Sequence, residues 1–570
     1  MDDLGVKIRY GDVAPEAKEN FTPTVSEMAD FVDLSQLQKY NLKFANYGNP
    51  CEYGAVLLDG KSLPPPPRYA GENTGLWSVQ ISQSDGTFET PIILTLTADA
   101  QYSSQGFTLT FDTFNNIFCN ALSIVWYRGE TQLAAADFTP NSAFYFCRKQ
   151  VENFDRVIIT FKKMNMPYNR LKLRVIDYGY GTYFRADELR SVNVIQELHP
   201  IAAELPTGTV DFVLDSNTDM EYSFQSKQPL SVYFNGTLRA TTFVTSSKRQ
   251  GKYMWKVESE DYVGQLARLT FLGNIYTNEN AYNLLSSIFT QAKIPFTISD
   301  DLKTETVTGY IPICDCREAV RQICFAIGAV CSTANSDTVN IHKLSDTVTQ
   351  EIPLSRIRTG QSFEEDDRVT SVVITAHQYR PIGGDTDNLV EAYKASESGT
   401  GTNILVKFTE PLWQLSIKDG EILQSCANYA IINANAETCV LKGYRYEDVQ
   451  TQKVKNNPVV SASDLENVVE ISDATLVSSA NADAVLNRVY DYVTKRTTTT
   501  MKINEGYHMV KWGEFKWGEF VYGGKVFDDI VNVGDVITAQ TEYIGAVTGR
   551  ITSERYNLNG GIVVKECELI

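Results

Sequence analysis

GYIPICDCREAVRQICFAIGAV, residues 309–330, predicts a helix with both of its ends defined. Asp315 is a good N-cap, and Glu318 stands three residues later, as in a capping box. Gly328 supplies the left-handed residue that ends the helix. Between these ends the apolar residues recur at helical spacing: Val320, Ile323, Cys324 and Ile327. The stretch therefore predicts one short amphipathic helix that packs against a core.

The segments on either side extend this helix into a small α/β unit over 271–350. A hairpin follows it, with strands at 329–332 and 339–344. A second helix is predicted before it, with Asn278 as N-cap and an apolar face of Ala281, Leu284, Leu285, Ile288, Phe289 and Ala292. No acid, histidine or hydroxyl group stands on a sharp turn, so we interpret the unit as a structural domain that positions other domains.

Three further stretches, together with residues 309–330, carry a family resemblance. WKVESEDYVGQL (255–266) leads into GNIYT (273–277), and the chain ends with GRITSERYNLNGG (549–561) after GDV (534–536) and TEYIG (541–545). In the order and residue composition of these stretches the sequence resembles the baseplate hub (tail-associated) proteins of bacteriophage tails and related contractile injection particles, especially those of prophages of Gram-positive bacteria. The resemblance covers roughly residues 186–570.

This resemblance implies a homotrimeric structural protein at the distal end of a tail tube. Each chain would offer two similar barrels, so three chains would present six and match a sixfold tube above a threefold tip. The implied partners are the tail tube and distal tail proteins, a central spike or tail-tip protein, and other baseplate proteins. The implied location is the virion tail, after synthesis in the host cytoplasm.

Composition sets limits on the function. The 570 residues are enough for about three to five domains. A hydrophobic content of 43% argues against global disorder, and the 30 tyrosines and 27 phenylalanines favour β structure. A net charge of −19 predicts no specific nucleic-acid binding, although DNA could slide through an acidic lumen. No apolar run is long enough to span a bilayer, so no membrane-spanning segment is predicted.

The fold class predicted is mainly β with α+β parts, in several domains. An N-terminal jelly-roll-like β-sandwich is followed by hub-type β-barrels and a small α/β domain. Short strands with turn residues between them indicate the sandwich. The predicted segments are an N-terminal arm with a Pro-rich linker (1–69), the sandwich (70–185), hub barrel 1 (186–270), the α/β domain (271–350), and hub barrel 2 with helices and C-terminal strands (351–570).

Two helices are predicted within 351–570. One begins at Asp419, with an apolar face of Ile422, Leu423, Cys426, Ala427, Ala430 and Ile431. The other begins near Ser479 and buries Ala482, Val485, Leu486, Val489 and Val493. Terminal strands are predicted to close the chain.

Catalytic and metal-binding patterns are weak. The four histidines stand in no ligand spacing, and no nucleophile elbow or phosphate loop occurs. Zinc is conceivable at Cys314, Cys316, Cys324 and Cys331, but the last two fall on an apolar helix face and in a hairpin, which favours buried thiols. A cell-wall hydrolase would need two carboxylates around a sugar bond, and 70 acidic residues make chance pairs unavoidable. We predict no enzyme, no metal and no cofactor.

Two sets of aromatic residues are candidate contact sites. Tyr102, Tyr180 and Tyr183 border loops of the sandwich and are the candidates for binding a host surface glycan by ring stacking. The tandem KWGEFKWGEF (511–520) suggests a subunit interface through Trp512, Phe515, Trp517 and Phe520. The alternative for the tandem is a local duplication with no function. The alternative function for the chain is a carbohydrate-binding adhesin, or receptor-binding tail component, that acts through the sandwich.

Overall fold

The computed structural model describes residues 5–13, 17, 20–29, 32, 34, 37, 75–113, 116–216, 224–382, 388–460, 465–495, 497–505, 530–559 and 563–570. Strands dominate, as the sequence predicts, and the helices are few and short. The chain forms two compact units. The first comprises Met1–Arg190, Leu214–Leu238 and Ser247–Trp255, and the second comprises Ser191–Val213, Arg239–Ser246 and Lys256–Ile570. No helix in the described ranges is both long and apolar enough to cross a membrane.

The strands up to residue 260 are β1 (Val6–Val13), β2 (Thr22–Val25), β3 (Leu76–Ile81), β4 (Thr87–Thr110), β5 (Cys119–Arg128), β6 (Thr131–Phe138), β7 (Phe144–Met164), β8 (Arg170–Leu173), β9 (Val175–Asp177), β10 (Gly179–Arg185), β11 (Leu189–Glu197), β12 (Thr209–Asp215), β13 (Pro229–Phe234), β14 (Thr237–Arg249) and β15 (Met254–Glu260).

The later strands are β16 (Thr270–Phe271), β17 (Asn274–Asn280), β18 (Phe296–Ile298), β19 (Thr306–Ile311), β20 (Cys314–Asp315), β21 (Val330–Ser332), β22 (Val339–His342), β23 (Val348–Ile352), β24 (Ile357–Glu365), β25 (Ser371–Pro381), β26 (Leu389–Lys394), β27 (Gly401–Lys407), β28 (Leu412–Lys418), β29 (Gly420–Ser425), β30 (Tyr429–Ala434), β31 (Val440–Asn456), β32 (Val468–Ile471), β33 (Thr497–Asn504), β34 (Val536–Gln540), β35 (Ala546–Asn557) and β36 (Val564–Leu569). The helices are α1 (Tyr262–Leu266), α2 (Ala281–Ala292), α3 (Cys316–Ile327), α4 (Ala395–Ser398) and α5 (Ala482–Val493), with 3-10 turns at Asp300–Thr304 and Leu354–Arg356.

The first unit is built of antiparallel sheets. Its largest sheet has the order β2-β4-β7-β5-β6, with β9 beside β4, and smaller sheets are β3-β8 and β10-β1-β13. Alternate residues of β4, β5 and β7 point inward and form one core, as a period of two requires. These residues include Ile92, Leu94, Leu96, Leu122, Ile124, Trp126, Val157, Ile159 and Phe161.

One long strand replaces two short ones in this sheet. The pattern predicts short strands, but β4 runs for 24 residues. Its register against β7 shifts at Thr97/Tyr102, Tyr102/Ser104 and Ser104/Gly106, so bulges bend the strand where a turn is otherwise expected. Gly106 fits there because a Cβ atom would lie 2.2 Å from the Cys147 carbonyl oxygen.

The small α/β region of the second unit matches the predicted order of elements. Helix α3 begins after Asp315, whose Oδ1 accepts the Glu318 N–H at 2.8 Å, and it ends at Gly328 with φ +73°. The Glu318 carboxylate does not reach back to complete a capping box, because it binds Arg321. Helix α2 has Asn280 as its N-cap, so the prediction of Asn278 is wrong by two residues.

The predicted helix from Asp419 is wrong. This segment forms the antiparallel hairpin of β29 and β30, in which Gly420 pairs with Ala434 and Ser425 pairs with Ala430. The buried residues of β30 are Ala430, Ile432 and Ala434, which is the period of a strand. Asp419 (φ +53°) also turns the chain out of a helical path. The predicted last helix is confirmed as α5, which begins at Ala482, three residues after the predicted start near Ser479, and Val493 at its end is half-buried.

The main sheet of the second unit joins distant parts of the chain. It has the order β12-β11-β35-β36-β33-β24, with β34 beside β35 and β23 beside β34. Strand β11 pairs antiparallel with β35 from Asn193↔Asn557 to Glu197↔Ser553. Strands from the two segments predicted as separate barrels therefore lie side by side in one sheet. Smaller sheets of this unit are β26-β31-β25-β32, with β28 beside β31, and β27-β30-β29.

Candidate functional site

The three tyrosines proposed for glycan binding are half-buried and in contact with other rings. Tyr102 on β4 lies 5.2 Å from Phe21, between ring centroids. Tyr180 on β10 meets Phe146 edge-on at 5.1 Å. Tyr183, also on β10, packs edge-on against Phe144 at 5.3 Å, and the Lys7 Nζ atom lies 4.7 Å from its ring centroid. Burial raises the pKa of Tyr183. Part of each ring is thus engaged within the unit, and their glycan binding stays a prediction.

Two buried carboxylates of the first unit, Asp112 and Asp177, are paired with cations. Arg9 binds Asp177, and both side chains are almost fully buried. Asp112 accepts from Arg174 at 2.9 Å and lies 3.6 Å from the Lys172 Nζ atom. Because an unpaired charge is costly in a core, these pairs have a structural explanation.

The predicted interface residues Trp512, Phe515, Trp517 and Phe520 lie outside the described residues. The chain on either side of them is described and well anchored. The described chain ends at Glu505 on one side and begins again at Ile530 and Val531 on the other. The Gln350 side chain donates to the Ile530 carbonyl at 2.9 Å. One lysine, Lys565, contacts a residue on each side, Glu505 and Val531.

That lysine is the centre of a buried ion cluster, which we define as Arg239, Glu505, Glu554 and Lys565. Arg239 donates to both oxygens of Glu505, each at 2.9 Å. The Lys565 Nζ atom lies 3.1 Å from Glu505 Oε1 and donates to Glu554 Oε2 at 2.7 Å. It also donates to the Val531 carbonyl at 2.6 Å. The four formal charges cancel, so the cluster satisfies the requirement that buried charges be compensated.

Electrostatics within the cluster favour the charged lysine. Burial by itself lowers the pKa of Lys565, but the carboxylates of Glu554 and Glu505 and the Tyr556 hydroxyl more than offset this effect, so the pKa is raised. Burial raises the pKa of Glu554, against the attraction of Lys565. Lys565 and Glu554 are 0% exposed, so their charged groups are closed to solvent. The cluster connects strands β35 and β36 with Glu505, the residue that follows β33.

The sequence analysis missed this cluster, although its signal is present. Val563, just before β36, and Lys565, Cys567 and Leu569 within it are alternate residues, and all four are buried. A lysine on the apolar face of a strand needs a buried anion as partner. Glu554 lies on β35, the strand paired with β36, opposite Cys567. Its buried side chain supplies that anion.

Asp261 is a second buried polar anchor in this unit. Its Oδ1 atom accepts the N–H groups of Val263 and Gly264 at 3.0 and 3.2 Å, and so caps helix α1. Its Oδ2 atom accepts the Gly208 N–H at 3.0 Å and the Thr333 hydroxyl. Burial raises its pKa to about 6, although these four hydrogen bonds oppose the shift. The carboxylate thus joins three segments of the chain and has no lone pair left for a substrate.

The cysteines and the His377–Asp448 pair have structural explanations. Burial raises the pKa of Cys314 and Cys324 to about 12 and that of Cys316 to about 11, as expected for packed thiols. His377 places Nδ1 2.8 Å from Asp448 Oδ2 and Nε2 3.1 Å from the Ser472 carbonyl. Neither ring nitrogen faces a nucleophile, so this pair ties β25 to neighbouring segments.

Comparison with known proteins gives matches among solved structures alone. A tail protein from Neisseria meningitidis MC58 is 11% identical with a TM-score of 0.41, over 67% of this chain and 92% of that one. The 43 kDa tail protein of prophage MuSo2 from Shewanella oneidensis is 10% identical with a TM-score of 0.40, over 67% and 93%. The prophage tail protein gp18 from Listeria monocytogenes EGD-e is 10% identical with a TM-score of 0.36, over 68% and 91%.

No family model and no curated protein matches the chain. These three structures are tail proteins, the class that the sequence resembles. At these identities and TM-scores they say nothing further about the activity or partners of this chain.

Proposed function

We propose that this chain is a structural protein of a phage-type tail, and specifically the hub at the distal end of the tail tube. In this role it would adapt a sixfold tube to a threefold tip. It would act through surfaces and perform no chemistry of its own. The resemblance over residues 186–570 suggests the role, and the pairing of β11 with β35 is the structural observation that carries it.

That pairing matters because a sixfold ring made of three chains needs two equivalent bodies from each chain. Five consecutive residue pairs join β11, from the first predicted barrel segment, to β35, from the second. A continuous sheet holds its strands about 4.8 Å apart in a fixed register. Two segments joined in this way would present their outer surfaces as one rigid piece, as such a ring requires.

The assembly we propose is a closed homotrimer. Cyclic symmetry closes a ring without leaving a free interface, and stable interfaces of this kind bury large areas. The net charge of −19 fits a lumen through which DNA passes without sticking. The tube and distal tail proteins, a spike or tail-tip protein and other baseplate proteins are its proposed partners, and the virion tail is its proposed location.

The test is the mass of the purified chain in solution, measured by light scattering over a range of concentrations. We expect three times the mass of one chain, either alone or on addition of a tail-tube or spike protein. A chain that stays monomeric at every concentration and with both partners would refute the hub.

The tandem at 511–520 offers a sharper variant of this test. We expect replacement of Trp512, Phe515, Trp517 and Phe520 by alanine to weaken the trimer, because buried aromatic residues dominate interface energies. The matched control replaces Lys511 and Lys516, in the same repeat, by alanine and should leave the trimer intact. If both variants assemble like the wild type, the tandem is not the interface.

A further inference from the structure

A small cavity of about 10 Å³ lies within the second unit, beside Asp261. Five segments of the chain line it: strands β11, β12 and β14, the residue Asp261 before helix α1, and Thr333 after β21. Several of the lining side chains are polar and buried, among them Gln196, Thr241 and Thr242. A space of this size holds one guest as large as a water molecule.

Two oxygen atoms of this lining lack a protein partner. Gln196 Oε1 and Thr241 Oγ1 are buried, and neither has a hydrogen bond among the described residues. The two residues are only 6% and 7% exposed. The Gln196 amide has one possible orientation, because its Nε2 donates to the Arg239 carbonyl at 2.8 Å and a flipped amide would set two acceptors against each other. A buried polar atom without a partner is costly, so both oxygens require a hydrogen bond from a guest.

Asp261, the one ionisable residue in this lining, does not meet that requirement. An ionised carboxylate has no proton to donate. Its Oδ1 atom already accepts the N–H groups of Val263 and Gly264, and its Oδ2 atom accepts the Gly208 N–H and the Thr333 hydroxyl. The lone pairs of Asp261 are therefore engaged within the protein, and a guest must satisfy the other two oxygens.

We propose that the cavity binds one water molecule, which donates to Gln196 Oε1 and makes a second hydrogen bond with Thr241 Oγ1. The guest must be a donor, because an amide oxygen can only accept. A metal ion does not fit, since Ca²⁺ takes roughly six to eight oxygen ligands and two buried oxygens without a partner are present. An anion does not fit either, because the lining contains no cationic side chain. Water matches the volume and the two partners.

This water extends the buried polar network of the second unit. It joins β11 to β14 through side chains, in addition to the direct hydrogen bond from Gln196 to the Arg239 carbonyl. The Arg239 side chain continues the connection, because it donates to both oxygens of Glu505 in the ion cluster. The water is therefore a fixed part of the core and also sets the orientation of the Gln196 amide that contacts Arg239.

A crystal structure of the full chain, at a resolution that shows ordered water, tests the site directly. We expect one spherical density peak within about 2.7–3.2 Å of both Gln196 Oε1 and Thr241 Oγ1. A cavity without density, or a direct hydrogen bond between the two side chains, would overturn the proposal. Crystals soaked in a thallium(I) salt distinguish a cation from water, and an anomalous peak at this position would also overturn it.

Urea denaturation of Thr241→Val is an independent test, because the sign of the effect depends on the guest. Valine keeps the shape of threonine and lacks its hydroxyl group. With water bound, the substitution removes one of its two partners, and we expect the ratio of folded to unfolded chain to fall about fivefold. In a dry cavity the same substitution would remove a buried hydroxyl without a partner and raise this ratio. A rise would therefore contradict the bound water.

Thr110→Val is the matched control. The Thr110 hydroxyl is also buried and without a hydrogen-bond partner among the described residues, but Thr110 lies on β4 of the first unit and does not line this cavity. Its replacement should leave the ratio of folded to unfolded chain unchanged or raise it. Equal losses in the two variants would assign the effect to the substitution itself and count against the site. The cavity lies within one chain, so this proposal and the trimer can fail separately.

Discussion

Lys565 shows how a single residue can hold distant parts of this chain together. Its ammonium group meets Glu505, Glu554 and the Val531 carbonyl, and none of these lies near it in sequence except Glu554. All of the charged groups are buried, so each depends on the others for compensation.

Replacing Lys565 by methionine should therefore be strongly destabilising. It leaves Glu554 buried without its cation, and we expect a loss of about 3–5 kcal/mol in the free energy of unfolding. Urea denaturation followed by tryptophan fluorescence measures this loss.

Two further variants make that prediction specific. Lys565→Met combined with Glu554→Leu removes both charges and should recover most of the loss, since an apolar pair can replace a buried ion pair. Lys502→Met breaks the exposed pair with Glu566 on the neighbouring strands, at 3.6 Å, and should cost less than about 1 kcal/mol. Equal losses for Lys565→Met and Lys502→Met would contradict the role of burial.

Asp261 predicts a dependence of stability on pH. Its pKa is raised from 3.8 to about 6 in the fold, so the folded state binds the proton more tightly than the unfolded state. The stability that this proton contributes is fully present below pH 3.8 and is lost as the pH rises through about 6. For a shift of this size the loss is about 3 kcal/mol.

The measurement compares the wild type with Asp261→Asn, which caps helices but does not titrate. Between pH 4 and pH 7 the wild type should lose stability relative to the variant, and other titrating groups cancel in the difference. Parallel curves across that range would show that the carboxylate is not perturbed in the fold.

At the scale of elements, helix α3 is specified by its own ends. Asp315 satisfies the Glu318 N–H, and Gly328 adopts φ +73° and donates to the Cys324 carbonyl at 2.9 Å. Short-range contacts such as these can be predicted from sequence because they involve residues three or four apart.

Asp315→Ala should reduce the free energy of unfolding by about 1 kcal/mol, because one N–H group at the start of α3 loses its acceptor. Asp315→Ser restores an acceptor and is the matched control, with a loss of a few tenths of a kcal/mol at most. Urea denaturation of the two variants measures the difference. A similar loss in both would mean that the carboxylate acts through something other than the cap.

The hairpin of β29 and β30 shows the limit of such reasoning. Ile422, Cys426 and Ala430 recur every four residues, which satisfies a helical spacing and, because four is even, a strand spacing as well. Propensity alone did not decide between the two. Packing decided it, since Ala430, Ile432 and Ala434 of β30 reach a core with Leu441 of β31.

At the scale of the whole molecule, the residues that flank 506–529 meet at one place. Glu505 and Val531 both contact the same Lys565 nitrogen atom, so described contacts hold these two flanking residues together. Replacing residues 506–529 by a short Gly-Ser linker should therefore change the free energy of unfolding by less than about 1 kcal/mol, since closure entropy varies slowly with loop length.

The same replacement should abolish the trimer if the tandem is the interface. Light scattering gives the mass, and urea denaturation gives the stability of the remaining fold. A linker variant that unfolds would show that residues 506–529 are needed for the fold. A variant that remains trimeric would place the interface elsewhere.

The sequence by itself determined the mainly β class, the order of elements in the α/β region, the ends of α3 and the existence of α5. These follow from periodicity and from contacts between near neighbours, which are written locally in the chain. Only the tertiary structure decided that β11 pairs with β35, that four charges meet around Lys565, and that Asp261 joins the start of α1 to Gly208 and Thr333. Each of these depends on residues far apart in the chain meeting in one place, and no local pattern specifies which distant partner a strand edge, a buried charge or a turn will find.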